Sequence, residues 1–256
     1  MESPLQKDYS DHIIYGRNAV LEAVRSGREI DRLLVAHGVS GGTVSVIIAK
    51  CASRGILVKE VSPQKLDEYC DGANHQGVAA FFAAQEYATV EEILQTAFAR
   101  QEDPFLLICD EIEDPHNLGA LIRTAEACGV HGIIIPKHRS ASLNATVAKS
   151  ASGALEYMKV ARVTNLVQTI EQLKKKGIWI YGADMDGQNY TDVDFSGPCA
   201  LVIGNEGHGI GNLVAKKCDG IVSLPMCGKI NSLNASVAGG ILLYEILRSR
   251  KKGERK

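Results

Sequence analysis

Three polar segments of the sequence carry amide, carboxylate, guanidinium and hydroxyl side chains just after apolar stretches. The first contains Asn117 and Arg123, the second contains Glu206 in a glycine-rich turn, and the third contains Ser232 and Asn234. Amides and hydroxyls can hydrogen-bond a ligand, arginine can grip a phosphate, and a carboxylate in such a turn suits a ribose, an amine or a sulfonium. Each segment is weak evidence alone, but three in this order, each after a predicted strand, indicate a ligand site.

Each of these residues also has an ordinary structural explanation. Asn117, Ser232 and Asn234 all stand where a helix is predicted to begin, so each is a candidate cap. Arg123 lies beside an apolar stripe, where arginine usually extends along the surface or pairs with a neighbour such as Glu126. The residues alone leave both explanations open.

The second segment, LVIGNEGHGI at 201–210, could be mistaken for a dinucleotide-binding turn. It lacks the G-x-G-x-x-G spacing, and Glu206 would place a negative charge where a pyrophosphate binds. A nucleotide-dependent oxidoreductase is therefore disfavoured, and a plain tight turn stays the alternative. The segment SLNASVA at 232–238 is nearly repeated as SLNATVA at 142–148, where we expect Asn144 to have a structural role, as a helix cap.

From residue 105 onward, predicted strands alternate with predicted helices. We predict strands at 105–109, 132–135, 158–161, 178–183, 200–203 and 221–224, with helices at 118–128, 165–176 and 210–217. This alternation predicts an α/β fold with a mostly parallel sheet covered on both faces. Ligands of such sheets bind beyond the carboxyl ends of the strands, where the three segments lie.

The preceding residues divide into three stretches. Residues 1–12 are predicted to be a flexible N-terminus, and 13–84 show a small α/β pattern. Residues 85–104 are more polar, and the pair Thr89 and Glu92 forms a capping box that opens a helix; we expect an ordered linker there. At the other end, 105–247 form the main domain and 248–256 a basic tail, which either contacts a polyanion or is simply solvated.

The composition is that of a soluble globular protein. The 256 residues are 45% hydrophobic and 23% charged, with a net charge of −2, which does not indicate a nucleic-acid binder but does not exclude a local basic face. Seven scattered cysteines without CxxC spacing make disulfides and metal sites improbable. No apolar run approaches the roughly 20 residues of a membrane span, so we expect a cytoplasmic protein with no metal.

Three stretches of the sequence resemble a known family. DPHNLGALIRTAEACGV, LVIGNEGHGI and IVSLPMCGKINSLNASVAGGILLYE resemble the three signature motifs of the SpoU branch of the SPOUT RNA methyltransferases. Residues 13–84, ending in NHQGVAA, are similar to the L30e-like substrate-binding domain that precedes many members. The resemblance implies a deep trefoil knot in 105–247, which periodicity does not show, and a homodimer whose active sites are completed at the subunit interface.

The resemblance also implies a cofactor, a reaction and the residues that serve them. The cofactor would be S-adenosylmethionine, and the reaction would be methyl transfer to a ribose 2′-hydroxyl of RNA. The implied cofactor-binding residues are Gly204, Leu224, Met226, Gly228 and Leu233. The implied catalytic residues are Asn117, Arg123, Glu206, Ser232 and Asn234. Family proposals make the arginine the general base; because arginine stays protonated in proteins, we expect Arg123 instead to grip a phosphate and stabilise charge on the 2′-oxygen.

The expected substrate is RNA, held by the N-terminal domain. We expect Arg17, Asn18, His75 and Gln76 to bind it, mainly through shape and phosphates, since only 5% of residues are aromatic. The likeness is greatest to enzymes that methylate a guanosine of 23S rRNA. The alternatives are methylation of tRNA, which uses the same three motifs, and an RNA-binding module without catalysis, which the intact site residues argue against.

Overall fold

The computed structural model describes residues 13–26, 30–82, 86–230 and 232–253. These form two compact units. The first contains the described residues up to Glu86 together with Ser142–Thr146, and the second contains Tyr87–Ala141 and the residues from Val147 onward. The predicted flexible N-terminus, residues 1–12, lies outside the described residues, as does the end of the predicted basic tail.

The first unit is a mixed four-stranded sheet with three helices. Its elements are β1 (Ile13–Tyr15), α1 (Arg17–Arg25), β2 (Ile30–Ala36), α2 (Gly42–Ser53), β3 (Leu57–Val61), α3 (Pro63–Tyr69) and β4 (Val78–Phe82). The strand order is β1-β4-β2-β3, with β2 parallel to β3 and antiparallel to β4. Ser62 caps α3 ahead of the first-turn Pro63, as the sequence predicts.

The second unit is a six-stranded parallel sheet covered by helices. Its strands are β5 (Phe105–Cys109), β6 (Gly132–Pro136), β7 (Val160–Val163), β8 (Trp179–Asn189), β9 (Cys199–Ile203) and β10 (Gly220–Ser223). Its helices are α4 (Val90–Ala99), α5 (Pro115–Ala127), α6 (Ala145–Ala151), α7 (Leu166–Lys175), α8 (Asn212–Ala215) and α9 (Ala235–Gly253), of which α6 starts within Ser142–Thr146. The predicted α/β architecture is confirmed, and the trefoil knot stays a prediction.

The two central strands position the candidate site. The strand order β10-β8-β9-β5-β6-β7 places β5 beside β9, and every residue of both strands is buried. Cys109 pairs with Ile203 at their carboxyl ends, so the loops that follow the two strands leave the sheet side by side. The chain reverses its winding direction at this pair, which is where ligands of open α/β sheets bind.

The sequence predictions differ from the structure in several elements. Most of the predicted linker lies in the second unit, because α4 packs on the sheet: Ile93 is fully buried, and a Cβ on Gly132 would lie 2.5 Å from it. The capping box of Thr89 and Glu92 is confirmed. The predicted helix at 210–217 shrinks to the single turn of α8, and the strand predicted at 178–183 extends to Asn189, where it pairs with β10.

Residues 248–253 of the predicted basic tail belong to α9, which extends to Gly253. Arg248 pairs with Glu245. Arg250 donates hydrogen bonds to the carbonyl oxygens of Asp103 (2.6 Å) and Gly197 (3.1 Å). Arg250 therefore ties the end of the helix to two other segments, whereas Arg248 pairs within the helix itself. Among the described residues, no helix is both long and apolar enough to cross a membrane.

The buried His131 connects Glu102, which follows α4, to Phe105, the first residue of β5. His131 Nδ1 accepts a hydrogen bond from the backbone N–H of Phe105 (3.0 Å), and its Nε2 lies 2.9 Å from Glu102 Oε2. Because Nδ1 accepts, the ring is neutral with its proton on Nε2. Burial lowers the pKa of His131, and the hydrogen bond to Glu102 opposes that effect in part.

We expect His131 to make the second unit acid-sensitive. The pKa of His131 in the folded protein lies below its unfolded value of about 6.5. The contribution of the neutral ring to the free energy of unfolding is therefore fully present above that pH and is lost as the pH falls. His131→Asn keeps an acceptor for Phe105 and cannot titrate. The free energy of unfolding of this variant should therefore fall less between neutral and acidic pH than that of the unaltered protein. Urea unfolding followed by the fluorescence of Trp179 would measure this, with the exposed His138→Asn as control. Equal slopes in all three proteins would contradict it.

Candidate active site

Three side chains from separate segments of the chain form a closed hydrogen-bonded triangle. Glu206 Oε1 accepts hydrogen bonds from the amides of Asn117 and Asn234, the latter at 2.7 Å. Asn234 Nδ2 also donates to Asn117 Oδ1 at 3.0 Å. The structure thus joins one residue from each of the three segments that the sequence singled out. The arrangement fixes the carboxylate with two charge-assisted hydrogen bonds.

Asn234 does two jobs with one amide group. Its Oδ1 accepts from the backbone N–H groups of Ser236 (3.0 Å) and Val237 (3.3 Å) and from the Ser236 hydroxyl (2.6 Å), so it caps α9. Because the oxygen must face the helix, the nitrogen must face Glu206. Asn234 is therefore the helix cap that the sequence predicts and also a member of the triangle, while its catalytic role stays a prediction.

Asn117 is not a helix cap. Asp114 precedes α5 and accepts a hydrogen bond from the backbone N–H of His116 at 3.0 Å, so Asp114 is the cap. Asn117 lies in the first turn of α5 and is 6% exposed, and its amide is free to meet Glu206 and Asn234. The capping explanation of Asn117 was wrong because the helix begins at Pro115, three residues earlier than that explanation required.

A cavity of about 380 Å³ lies beside this triangle. Four of the five predicted cofactor-binding residues line it: Gly204, Leu224, Met226 and Leu233. The predicted catalytic residues Glu206 and Ser232 line it too. Gly228 does not lie in this wall as the structure describes it. Apart from His208, Asp184 and Glu206 are the titratable residues that line the cavity, and no lysine or arginine is among its described lining residues.

The glycine-rich turn forms one wall of the cavity, and at Gly204 it is packed too tightly for any residue with a side chain. A Cβ on Gly204 would lie 2.2 Å from the carbonyl carbon of Gly209. Asn205 and Gly209 exchange backbone hydrogen bonds of 3.0 and 2.8 Å, and Asn205 Oδ1 accepts from the N–H of Gly207. The turn is thus a small rigid hairpin with Glu206 at its tip.

Two carboxylates that follow β5 hold this turn and were not predicted from the sequence. Asp110 Oδ2 accepts from the N–H of Gly211 at 2.8 Å, while burial raises the pKa of Asp110. Glu111 has a positive φ of 58° and contacts Arg139 (3.0 Å) and His208 (3.1 Å). The hydrogen bond from Arg139 holds the pKa of Glu111 below its usual range, and His208 adds to that effect. Their place at the end of a central strand was the available signal.

A second cavity, of about 430 Å³, lies on the other side of Glu206. It shares Asn205, Glu206 and Gly207 with the first cavity and is otherwise lined by Ile112, Glu113, Asp114 and Asn117. Glu206 therefore stands in a wall between two spaces. Such a wall suits a group that must touch two bound molecules at once.

Two predicted catalytic residues lie outside the triangle. Ser232 is exposed at the cavity wall. Arg123 is exposed, and its Nη1 lies 3.4 Å from the hydroxyl of Ser152. Arg123 is two-thirds of the way along α5, more than a turn beyond Asn117. Within a single chain, the described residues show no contact between Arg123 and the triangle.

The predicted RNA-binding residues of the first unit form two local clusters. Arg17 donates from Nε to the carbonyl of Gln76 (3.1 Å) and from its backbone N–H to Gln76 Oε1 (3.0 Å). His75 Nδ1 accepts from the N–H of Gly77, and its Nε2 lies 2.9 Å from Asp67. Asn18 is exposed on the first turn of α1. The structure thus joins Arg17 to Gln76 and anchors the His75 turn to α3.

Comparison with known proteins gives one consistent answer. Residues 104–244 match the SpoU rRNA Methylase family, and residues 13–88 match the RNA 2′-O ribose methyltransferase substrate binding family. A TrmH family tRNA/rRNA methyltransferase of Bacillus subtilis, YacO, is 47% identical over 246 residues, which cover 96% of this chain and 97% of YacO.

Solved structures agree with this assignment. The SpoU methyltransferase AviRb of Streptomyces viridochromogenes, in complex with the cofactor AdoMet, has a TM-score of 0.59 and 26% identity and aligns over 94% of this chain and 91% of its own. An AdoMet-bound rRNA methyltransferase of Sinorhizobium meliloti has a TM-score of 0.56 and 26% identity, over 93% and 87% of the two chains. The extent of these matches shows that this chain belongs to the SpoU rRNA methylase family of RNA methyltransferases.

Proposed function

We propose that the protein transfers a methyl group from S-adenosylmethionine to a ribose 2′-hydroxyl of RNA, with a guanosine of 23S rRNA as the preferred target. The observation that carries this proposal is the position of Glu206. Its carboxylate is fixed by two amides and stands between two cavities, one for a cofactor and one for the reacting nucleotide. A non-catalytic RNA-binding module would have no need for such a wall.

The first cavity fits the proposed cofactor. Its apolar side, formed in part by Leu224, Leu233 and Leu242, suits an adenine ring, and the bare backbone at Gly204 allows close approach. Its charged side has carboxylates and no described lysine or arginine, which suits a cation. When bound there, S-adenosylmethionine would supply a methyl group on a positively charged sulfur.

The triangle is placed to position the attacking hydroxyl. In the reaction the 2′-oxygen forms a bond to the methyl carbon, the carbon–sulfur bond breaks with its electron pair going to sulfur, and the hydroxyl proton passes by way of its hydrogen-bond acceptor to water. Glu206 Oε1 is occupied by Asn117 and Asn234, so Glu206 Oε2 is the atom that would accept the hydroxyl hydrogen bond. Holding hydroxyl and methyl in attack geometry provides much of the rate enhancement in such displacements.

Arg123 completes the site from a second subunit in this proposal. The outer face of α9 exposes Val237 (50%), Ile241 (40%) and Tyr244 (54%), spaced as one apolar stripe. An unpartnered stripe of this kind beside α5 supports a homodimer. Across such an interface, the exposed Arg123 of one subunit would grip the phosphate beside the target ribose in the other.

The first unit would hold the RNA. Its match to a substrate-binding family supports that role, and we propose that Arg17, Asn18, His75 and Gln76 contribute to the binding surface. Methylation of tRNA is the second candidate function, because the relatives carry the name tRNA/rRNA methyltransferase.

The substrate can be read directly from the modified RNA. We expect labelled methyl groups from S-adenosylmethionine to enter 23S rRNA and not tRNA. A 2′-O-methyl group blocks alkaline cleavage, since the oxygen can no longer attack the adjacent phosphate. The product should therefore show one missing band, at a guanosine, in a hydrolysis ladder. A full ladder with label on a base would refute ribose methylation, and label in tRNA alone would select the second candidate.

Replacing Asn234 with serine separates its two jobs. Serine is a good helix cap, so the free energy of unfolding should change by no more than about 1 kcal/mol. The variant loses both amide donors to the triangle, so methyl transfer should fall by about 100-fold, as when one preorganised donor is removed from an active site. Asn144→Ser, the same change before α6, is the control and should stay near full activity. Activity of Asn234→Ser within a few-fold of the unaltered protein would rule out the role of the triangle.

Mixed dimers test where Arg123 acts. Arg123→Ala and Glu206→Gln should each be nearly inactive. If the two residues meet across subunits, half of the dimers refolded from an equal mixture are mixed and each has one intact site, so about a quarter of the activity should return. Each variant refolded alone is the control. No recovery in the mixture would show that the two residues do not act across a dimer.

A further inference from the structure

One carboxylate of the first cavity has no assigned role. Asp184 follows the part of β8 that pairs with β9, where Gly182 lies opposite Val202, and it lines the cavity. Asp184 Oδ2 is 3.1 Å from the position that a Cβ on Gly209 would occupy. The side chain therefore reaches the stem of the glycine turn, whereas Glu206 lies at its tip.

Asp184 differs from the neighbouring carboxylates in its contacts with the described residues. Asp110 accepts a backbone N–H, and Glu206 accepts two amide donors. Asp184 is only partly exposed, yet within the described residues its carboxylate has no hydrogen-bond or ion-pair partner. A half-buried charge without a partner is unfavourable unless a ligand supplies hydrogen-bond donors.

The position of Asp184 selects one part of the cofactor. The transferable methyl must lie near the tip of the turn, where Glu206 meets Asn117, and the adenine ring suits the leucine-lined side. The ribose connects these two parts and carries two adjacent hydroxyl groups, which match the two oxygens of a carboxylate. An acidic residue after a strand binds the cofactor ribose in the same way in dinucleotide-binding sheets.

We propose that Asp184 binds the 2′- and 3′-hydroxyls of the cofactor ribose. The proposal rests on the proposed function in one respect only, namely that this cavity binds S-adenosylmethionine. The carboxylate contributes affinity for the adenosine part, which substrate and product share. It does not distinguish the charged sulfonium from the neutral thioether.

Two adenosine thioethers separate the possibilities. S-adenosylhomocysteine carries the amino acid part, and 5′-methylthioadenosine lacks it, but both keep the ribose. Asp184→Asn removes the charge at nearly constant shape, and we expect it to weaken the binding of both compounds by a similar factor of about 10 or more. Asp186→Asn makes the same change on an exposed residue of β8 outside the cavity wall, and its affinities should stay unchanged.

Calorimetric titration of the three proteins, with thermal unfolding as a check on folding, gives four readable outcomes. Equal weakening of both compounds by Asp184→Asn supports the proposal. Weakening of S-adenosylhomocysteine alone would instead place Asp184 at the amino group and overturn it, and unchanged binding of both would overturn it as well. If the unaltered protein bound neither compound, the cofactor assignment in the proposed function would fail together with this inference.

Discussion

The candidate site depends on the side chain of Asn234. Its oxygen accepts hydrogen bonds from the free backbone N–H groups at the start of α9, and its nitrogen donates to both Glu206 and Asn117. The 19-residue helix and the hydrogen-bonded triangle are therefore fixed by the same planar amide. Because the amide is rigid, the direction of the helix start determines where the carboxylate lies. The tight pairing of β5 with β9 then brings the other two loops to this point.

The sequence predicted the parts of the molecule that follow from local patterns. The apolar strands, the cap at Ser62, the capping box at Thr89 and the parallel sheet all have signals within a few residues. The carboxyl-end rule also located the three loops, and the structure joins Asn117, Glu206 and Asn234 there. Boundaries were less accurate where packing decides them, as for α4, which the sequence assigned to a linker although Ile93 is buried in the core.

Other features have no local signal. Asp110 and Glu111 look like ordinary loop carboxylates, and only their contacts with Gly211, Arg139 and His208 give them a role. That Asp184 has no partner among the described residues is likewise visible only in the folded cavity wall. Gly228 matched the family pattern but is not among the described residues that line the first cavity, so its role in cofactor binding stays a prediction.

The wall that Glu206 forms between two cavities also controls its hydration. With both spaces open, water reaches the carboxylate from two sides and weakens its electrostatic influence. Two bound molecules would remove that water together, and hydrogen bonds to the carboxylate become stronger as the local dielectric falls. Filling one cavity alone leaves the other side wet. The hydrogen bonds of the carboxylate would thus be strongest only when both reactants are in place. This favours transfer of the methyl group over its loss to solvent.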